Sequence, residues 1–190
     1  LMEGEYVSVD AEISPKQEKL YAGDSFTYTI TANQYEDFAR FKGSIIYNHR
    51  ALQIVEVEIL DANINVIQNT FNNTTGVYEF DLSGMAGLAN QANPDLIRLT
   101  FQTRDNFTPN SDSALIATEA RVFETGDSVG RKFLLPSYEV KVDYKYRLSY
   151  PTSTVGRDIS FLIQDANLNP IAGASVIIEG ADISITALSD

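Results

Sequence analysis

Phe26, Tyr28 and Ile30 stand two residues apart, with Ser25, Thr27, Thr29 and Thr31 between them, directly after the turn Ala22-Gly23-Asp24. A period of two sends alternate side chains to opposite faces only in an extended chain, so the stretch reads as a strand with one buried and one wet face. The pattern then recurs. Residues 41–47 make a second apolar strand, Asn48-His49-Arg50-Ala51 a tight turn, and Leu52, Ile54, Val57 and Ile59 carry a third strand. Ten Tyr and ten Phe, with many Thr, Ile and Val, favour strands throughout the chain.

The same periodicity organises the remainder. Residues 5–13 alternate Tyr6, Val7, Val9, Ala11 and Ile13 with polar neighbours and predict a first strand, broken by residues 14–17. Ile64, Val66 and Ile67 predict a short strand over 61–68, followed by an Asn- and Gly-rich loop at 71–76. Over 77–82, Tyr78, Phe80 and Leu82 point inward, and Val77, Glu79 and Asp81 outward. A small-residue excursion fills 83–94. Strands follow at 95–103, carrying Leu96, Leu99 and Phe101, and at 113–122, then a loop at 124–131. Tyr138, Val140 and Val142 form a closing strand.

The first sixty residues resemble the front half of a cohesin module. The resemblance is carried by Ala22-Gly23-Asp24-Ser25-Phe26, by Tyr47-Asn48-His49-Arg50-Ala51-Leu52, and by Ile54-Val55-Glu56-Val57-Glu58. Where the family has Asp-Pro in the turn, this chain has Asn48-His49, which exchanges one turn-former for another. The strand, excursion and Ile97-Arg98-Leu99-Thr100-Phe101 strand extend the resemblance over most of residues 1–143. It implies an all-β fold, a jelly-roll β-sandwich whose last strand returns beside the first.

Beyond Tyr144 the text changes. Ile159, Phe161 and Ile163 predict a strand, residues 165–170 a turn, and residues 171–178 a second strand. Asp165-Ala166-Asn167-Leu168-Asn169-Pro170-Ile171-Ala172-Gly173-Ala174-Ser175-Val176 resembles the opening of bacterial Ig-like, carboxypeptidase-regulatory-like or collagen-adhesin B-type repeats. Such a domain needs roughly 70–100 residues to close a sandwich. Residues 144–190 are therefore expected to be the N-terminal part of an incomplete Ig-like β-sandwich. Leu1 ahead of Met2 reads as a processing scar, and the chain as an excised fragment of a multi-domain protein.

Composition removes several function classes. A formal net charge of -12 and a pI near 4.4 argue against a nucleic-acid surface, which needs clustered Lys and Arg. There is no basic amphipathic segment and no run long enough to insert in a membrane. The absence of cysteine excludes disulfides, thiolate metal sites and a Cys nucleophile. The expected setting is the bacterial surface or the extracellular space, with a virion as a further possibility.

No catalytic constellation emerges, and neither cofactor nor metal is expected. His49, the only histidine, reads as a turn residue rather than a general base. Glu56 and Glu58 share one strand face, unlike a glycosidase pair set across a cleft. Asp105, Asp112 and Asp127 could offer oxygens to calcium, but their spacing matches no EF-hand loop. Lys145 and Glu179 lack a recognisable partner amide for an adhesin-type isopeptide bond. Asn72, Asn73 and Asn106 satisfy the glycosylation sequon and read as exposed loop residues.

The cohesin resemblance implies a binding face centred on the strand before the Tyr47 turn, where a small helical calcium-binding protein, the dockerin, docks. Carried over by position, that face holds Arg40, Lys42, Ser44 and Ile46, with Glu79 and Asp81 on the neighbouring strand. Family members often have Asn and Asp where this chain has Arg40 and Lys42, so a different protein ligand stays open. So do cross-strand pairs between these cations and Glu79 or Asp81, which would stabilise the sheet and recruit nothing. Two other functions are weighed. One is a structural spacer in an adhesin, pilus-like fibre or phage tail. The other is carbohydrate binding, disfavoured because Trp is absent and most Tyr fall on inward positions.

Overall fold

The computed structural model describes residues 7–32, 38–84, 93–149, 161–180 and 183–188. The chain divides into two compact units, Leu1–Val142 and Asp143–Asp190. Eleven strands build the first sandwich: β1 (Val9–Ser14), β2 (Lys19–Tyr21), β3 (Ser25–Ala32), β4 (Phe38–Tyr47), β5 (Leu52–Ile59), β6 (Asn65–Asn72), β7 (Val77–Ser83), β8 (Asp95–Thr103), β9 (Ser113–Glu124), β10 (Arg131–Leu134) and β11 (Tyr138–Asp143). One sheet has the order β1-β3-β8-β5. The other runs β2-β11-β9-β4-β7-β6, with β10 also pairing β9.

The inward members of each alternation meet between the sheets. Phe26, Tyr28 and Ile30 of β3 are buried, as are Phe41, Ile45 and Tyr47 of β4, Tyr78, Phe80 and Leu82 of β7, and Leu99 and Phe101 of β8. The Phe101 ring lies 5.4 Å from both Phe26 and Tyr47, and Phe41 lies 4.8 Å from Phe80. Removing one such side chain from water contributes about 1.5–3 kcal/mol. The tyrosines keep their hydroxyls partnered. Tyr28 donates to the Pro136 carbonyl at 2.9 Å, Tyr47 to Asn73 Oδ1 at 2.7 Å, and Tyr78 to Asn69 Oδ1 at 2.9 Å. Burial pushes the Tyr28 phenol up to about 12.

Several expectations shift. The expected strand at 61–68 begins at Asn65 and runs to Asn72, so the loop shrinks to residues 73–76. The preceding turn is fixed by Asp61, whose Oδ1 accepts from the Asn63 amide at 2.8 Å. Most of β6 is exposed, so its residues carry no burial alternation, and its last two, 71 and 72, read as loop. The short strands β2 and β10 had no periodic signal. The closing strand β11 lies between β2 and β9, not beside β1. The physical reason is the break at residues 15–18, which lets the N-terminal segment change sheets. Its first part pairs β3, and its second flanks the closing strand.

Among the described residues the second unit contains two antiparallel strand pairs. β12 (Tyr146–Ser149) pairs β13 (Leu162–Asp165), and β14 (Ser175–Gly180) pairs β15 (Ile183–Leu188). Asp165 forms the turn after β13, its Oδ1 accepting from the amides of Asn167 at 2.8 Å and Asn169 at 2.9 Å. The strand expected over 171–178 starts only at Ser175. Residues 172–173 form a turn in which Gly173 takes φ 74°. The expected start near Ile159 lies outside the described residues.

Candidate binding face

β4 is the organising strand of the larger sheet, and its alternation separates two faces. Phe41, Gly43, Ile45 and Tyr47 turn toward the core, while Arg40, Lys42, Ser44 and Ile46 turn outward. Register then fixes their neighbours. Lys42 stands opposite Asp81 of β7 and Arg121 of β9, Ser44 opposite Glu79 and Glu119, and Ile46 opposite Val77 and Ala117. Arg40, Lys42, Ser44, Ile46, Glu79 and Asp81 share this side of the sheet by register, although their exposure differs.

Two of them are committed to each other. Asp81 Oδ1 and Oδ2 accept from Arg40 Nε at 2.7 Å and Nη2 at 2.5 Å. Asp81 is only 5% exposed, so it is not the outward, solvent-facing carboxylate expected of β7. The charge-assisted bonds from Arg40 hold its carboxyl below the usual range against the opposing effect of burial. The Arg40 guanidinium also lies over the Phe123 ring, 5.5 Å from its centroid. This pair is the cross-strand alternative weighed above, realised on the diagonal.

Lys42 is placed differently. It is exposed, its side chain makes no hydrogen bond or ion pair among the described residues, and its charge adds to the lowering of the Asp81 pKa. The β9 and β10 registers set Arg121 beside it and Lys132 beside Arg121, forming one row of three cations across three strands. Arg121 Nη1 donates to the Val129 carbonyl at 3.4 Å, and Lys132 Nζ sits 3.3 Å from Glu119 Oε1. One row along, Glu79 accepts from Gln68 Nε2 at 3.1 Å, and beyond it Ile46 stays 58% exposed. Arg121 and Lys132 were absent from the expected site. The alternation of Glu119 and Arg121 with Ala120 and Val122 marks them as outward, but only pairing shows which strand they adjoin.

Gly43 shapes the floor. A Cβ there would collide with the Glu119 carbonyl and lie 2.8 Å from Phe80 Cζ and 2.9 Å from Ala120 Cα. The missing side chain admits the Phe80 ring, and a depression of about 350 Å³ opens above it, bordered by Lys42, Ser44, Gln68, Glu79, Glu119 and Arg121.

The other candidates do not assemble chemically. His49 and Arg50 line a polar cleft of about 400 Å³ with Asn73, Arg104, Thr108 and Asp112. Asp112 accepts from the Thr108 amide at 2.9 Å, and Asp127 from the amides of Val129 at 2.9 Å and Gly130 at 3.1 Å, which lowers its pKa. Among the described residues no group of three or more His, Asp or Glu side chains could hold a metal ion. Asn73 is not a free sequon residue. Its amide bonds the Ile54 backbone at 2.8 and 2.9 Å and receives the Tyr47 hydroxyl, whereas Asn72 and Asn106 are exposed. The Glu179 side chain lies outside the described residues, and Lys145 Nζ is 5.8 Å from the Tyr146 ring. No helix among the described residues is long and apolar enough to cross a membrane.

No family model and no curated protein matches the sequence. Solved structures do match. A type II cohesin domain from the cellulosome of Acetivibrio cellulolyticus aligns at 12% identity over 72% of this chain and 95% of its own, with a TM-score of 0.54. The cohesin module of a family 33 glycoside hydrolase of Clostridium perfringens aligns at 15% identity over 73% of this chain and 97% of its own, TM-score 0.50. The major pilin subunit of Bacillus cereus aligns at 16% identity over 98% of this chain, TM-score 0.58, and this chain spans about half of that pilin, 53%. At these identities the likeness establishes architecture: the protein is an all-β sandwich with a cohesin-like fold.

Proposed function

We propose that this is a non-catalytic protein-binding module of a bacterial surface or secreted protein, and that its partner docks on the outer face of β9, β4 and β7. The observation that carries the reading is the row Lys42, Arg121 and Lys132, set near exposed Ile46 on a chain of net charge -12. A positive strip with an apolar margin suits a partner with an acidic contact surface. Among the neighbours are cohesins solved with dockerin partners from Acetivibrio cellulolyticus and Clostridium thermocellum, and these support a dockerin-like or similarly small protein ligand. Where the cohesin family often has Asn and Asp, Arg40 and Lys42 reverse the charge, which favours a partner of opposite charge to theirs. Arg40 and Asp81 support the face as a locked pair, and Lys42, Ser44, Ile46 and Glu79 offer the contacts.

The test is a pull-down from the native host, followed by titration of the recovered partner with wild type and with Lys42→Glu/Arg121→Glu. Both side chains are exposed, so the protein should stay folded, with a small loss of melting temperature because Lys42→Glu sets a carboxylate opposite Asp81, while affinity falls at least about tenfold and loses salt dependence. Undiminished binding by the reversed protein would move the site elsewhere.

A second reading has its own support. The pilin alignment spans nearly the whole chain, which favours a spacer in which residues 1–143 and 144–190 are successive β-domains, the latter Ig-like. Recovery of no partner, with the chain found in a surface polymer, would select it.

A further inference from the structure

The strand edges of the first sandwich are unequal. β1 carries Asp10 and Glu12, and β5 carries Glu56 and Glu58 with a bulge between Ile54 and Glu56. β2 has three residues including Lys19, and β10 has four including Arg131 and Lys132. Charges, bulges and short length are the devices that keep a strand edge from pairing with another chain. β6 has little of this. It is eight residues long, Asn-Val-Ile-Gln-Asn-Thr-Phe-Asn, without charge or proline, and among the described strands it ends its sheet. Its single bulge, between Val66 and Gln68, lies near one end. Val66, Ile67 and Phe71 are 44, 57 and 45% exposed, so the core side of the sandwich stays open along this rim.

We propose that β6 is a strand-addition edge and that its occupant is β6 of a second copy of this chain, paired antiparallel about Asn69. The register follows from the sequence of the strand. Centring on Asn69 sets Ile67 opposite Phe71 and Gln68 opposite Thr70, twice each across the two-fold axis. Val66 and Phe71 stand against Leu82 and Tyr78, both buried, and alternation back from Gln68, opposite Asp81, sets the bulged Ile67 on the same side as they are. The Ile67–Phe71 contacts therefore cover apolar surface on both copies. Gln68 and Thr70 stand against Asp81 and Glu79 and meet on the outer side, where Gln68 already bonds Thr70 Oγ1 at 3.4 Å.

Charge permits this occupant at β6. Two copies carrying -12 each repel, and an uncharged strand is where they can meet without placing like charges opposite one another. Each β6 would offer its outer backbone groups to the other, joining two sheets into one. The inference does not depend on the reading of the outer face.

Sedimentation equilibrium of the full chain tests it. Wild type should show a reversible monomer–dimer equilibrium. Ile67→Lys and Phe71→Glu alone should each weaken dimerisation about tenfold or more, since each places a charge against an apolar side chain. The double variant I67K/F71E should recover dimerisation, because each lysine then meets a glutamate of the other copy. Both positions are substantially exposed, and melting curves verify that every variant is folded. A wild type that stays monomeric at millimolar concentration overturns the proposal. So does a dimer indifferent to the single changes, or a folded double variant that fails to recover.

Discussion

The two units use the same strand chemistry and arrive at opposite states of packing. In the first, two sheets close on each other, and all the buried apolar side chains among the described residues lie between Val7 and Val142. In the second, Tyr146, Leu148, Leu162, Leu168 and Ile177 are exposed, and the described strands form only two separate hairpins. Propensity explains neither outcome, since Ile and Val are more frequent in β14 than in β3. What differs is how far the side chains are enclosed, since among the described residues no apolar side chain of the second unit is buried. Isolated hairpins are marginal in water, and a buried alternating face is what makes a strand contribute.

Substitutions can break this contrast, beginning with the core. Phe101→Ala removes a fully buried ring packed on Phe26 and Tyr47 and should cost about 3–5 kcal/mol in denaturant unfolding of the full chain. Ile177→Ala, at a 62% exposed position, should shift the same curve by less than about 0.5 kcal/mol. Comparable losses at both would mean that the second unit has a core of its own.

Gly43→Ala tests how tightly the sheets close beneath the candidate face. A Cβ there must displace Phe80 or the β9 backbone, and about 1–3 kcal/mol of destabilisation is expected. Gly173→Ala in the second unit meets no atom within 4 Å, so only its positive φ opposes it and the loss should be smaller. Equal effects would remove packing as the cause.

The ion pair sharpens the comparison in a third way. Arg40→Ala leaves Asp81 buried without its partner. The cost of breaking a buried pair, about 3–5 kcal/mol, is reduced by the partial exposure of Arg40 to about 1–2 kcal/mol. Because the folded-state pKa of Asp81 is lowered, its stabilisation is complete above the unperturbed carboxylate value of about 4 and is lost as pH falls through the lower folded value. Wild type should therefore lose this increment only in strong acid, and the variant should lack that part of the acid transition. An unchanged acid limb would assign the loss to Phe123 packing instead.

The smallest perturbation reads the contrast without mutation. Amides of β3 and β8 should exchange only with global unfolding, and those of β12 to β15 several orders of magnitude faster at equilibrium. Strong protection of the hairpins would show that the second unit is stabilised by something beyond its own described strands.

By itself the sequence determined what depends on near neighbours. Period-two burial made β3, β4, β7 and β8 legible, and Asn48-His49-Arg50-Ala51 marked the turn before Leu52, because side-chain direction and turn chemistry are set within a few residues. The outward placement of Arg40, Lys42, Ser44 and Ile46 followed from the same rule. Pairing was decided only by the tertiary structure. That β11 flanks β2 rather than β1 depends on where the N-terminal segment changes sheets. That Arg40 engages Asp81 while Lys42 joins Arg121 and Lys132 depends on two antiparallel registers, and an offset of one residue in either would send those side chains to the other face. β6 was legible only as far as residue 68, because burial writes the alternation into a strand, and an edge strand is only partly buried.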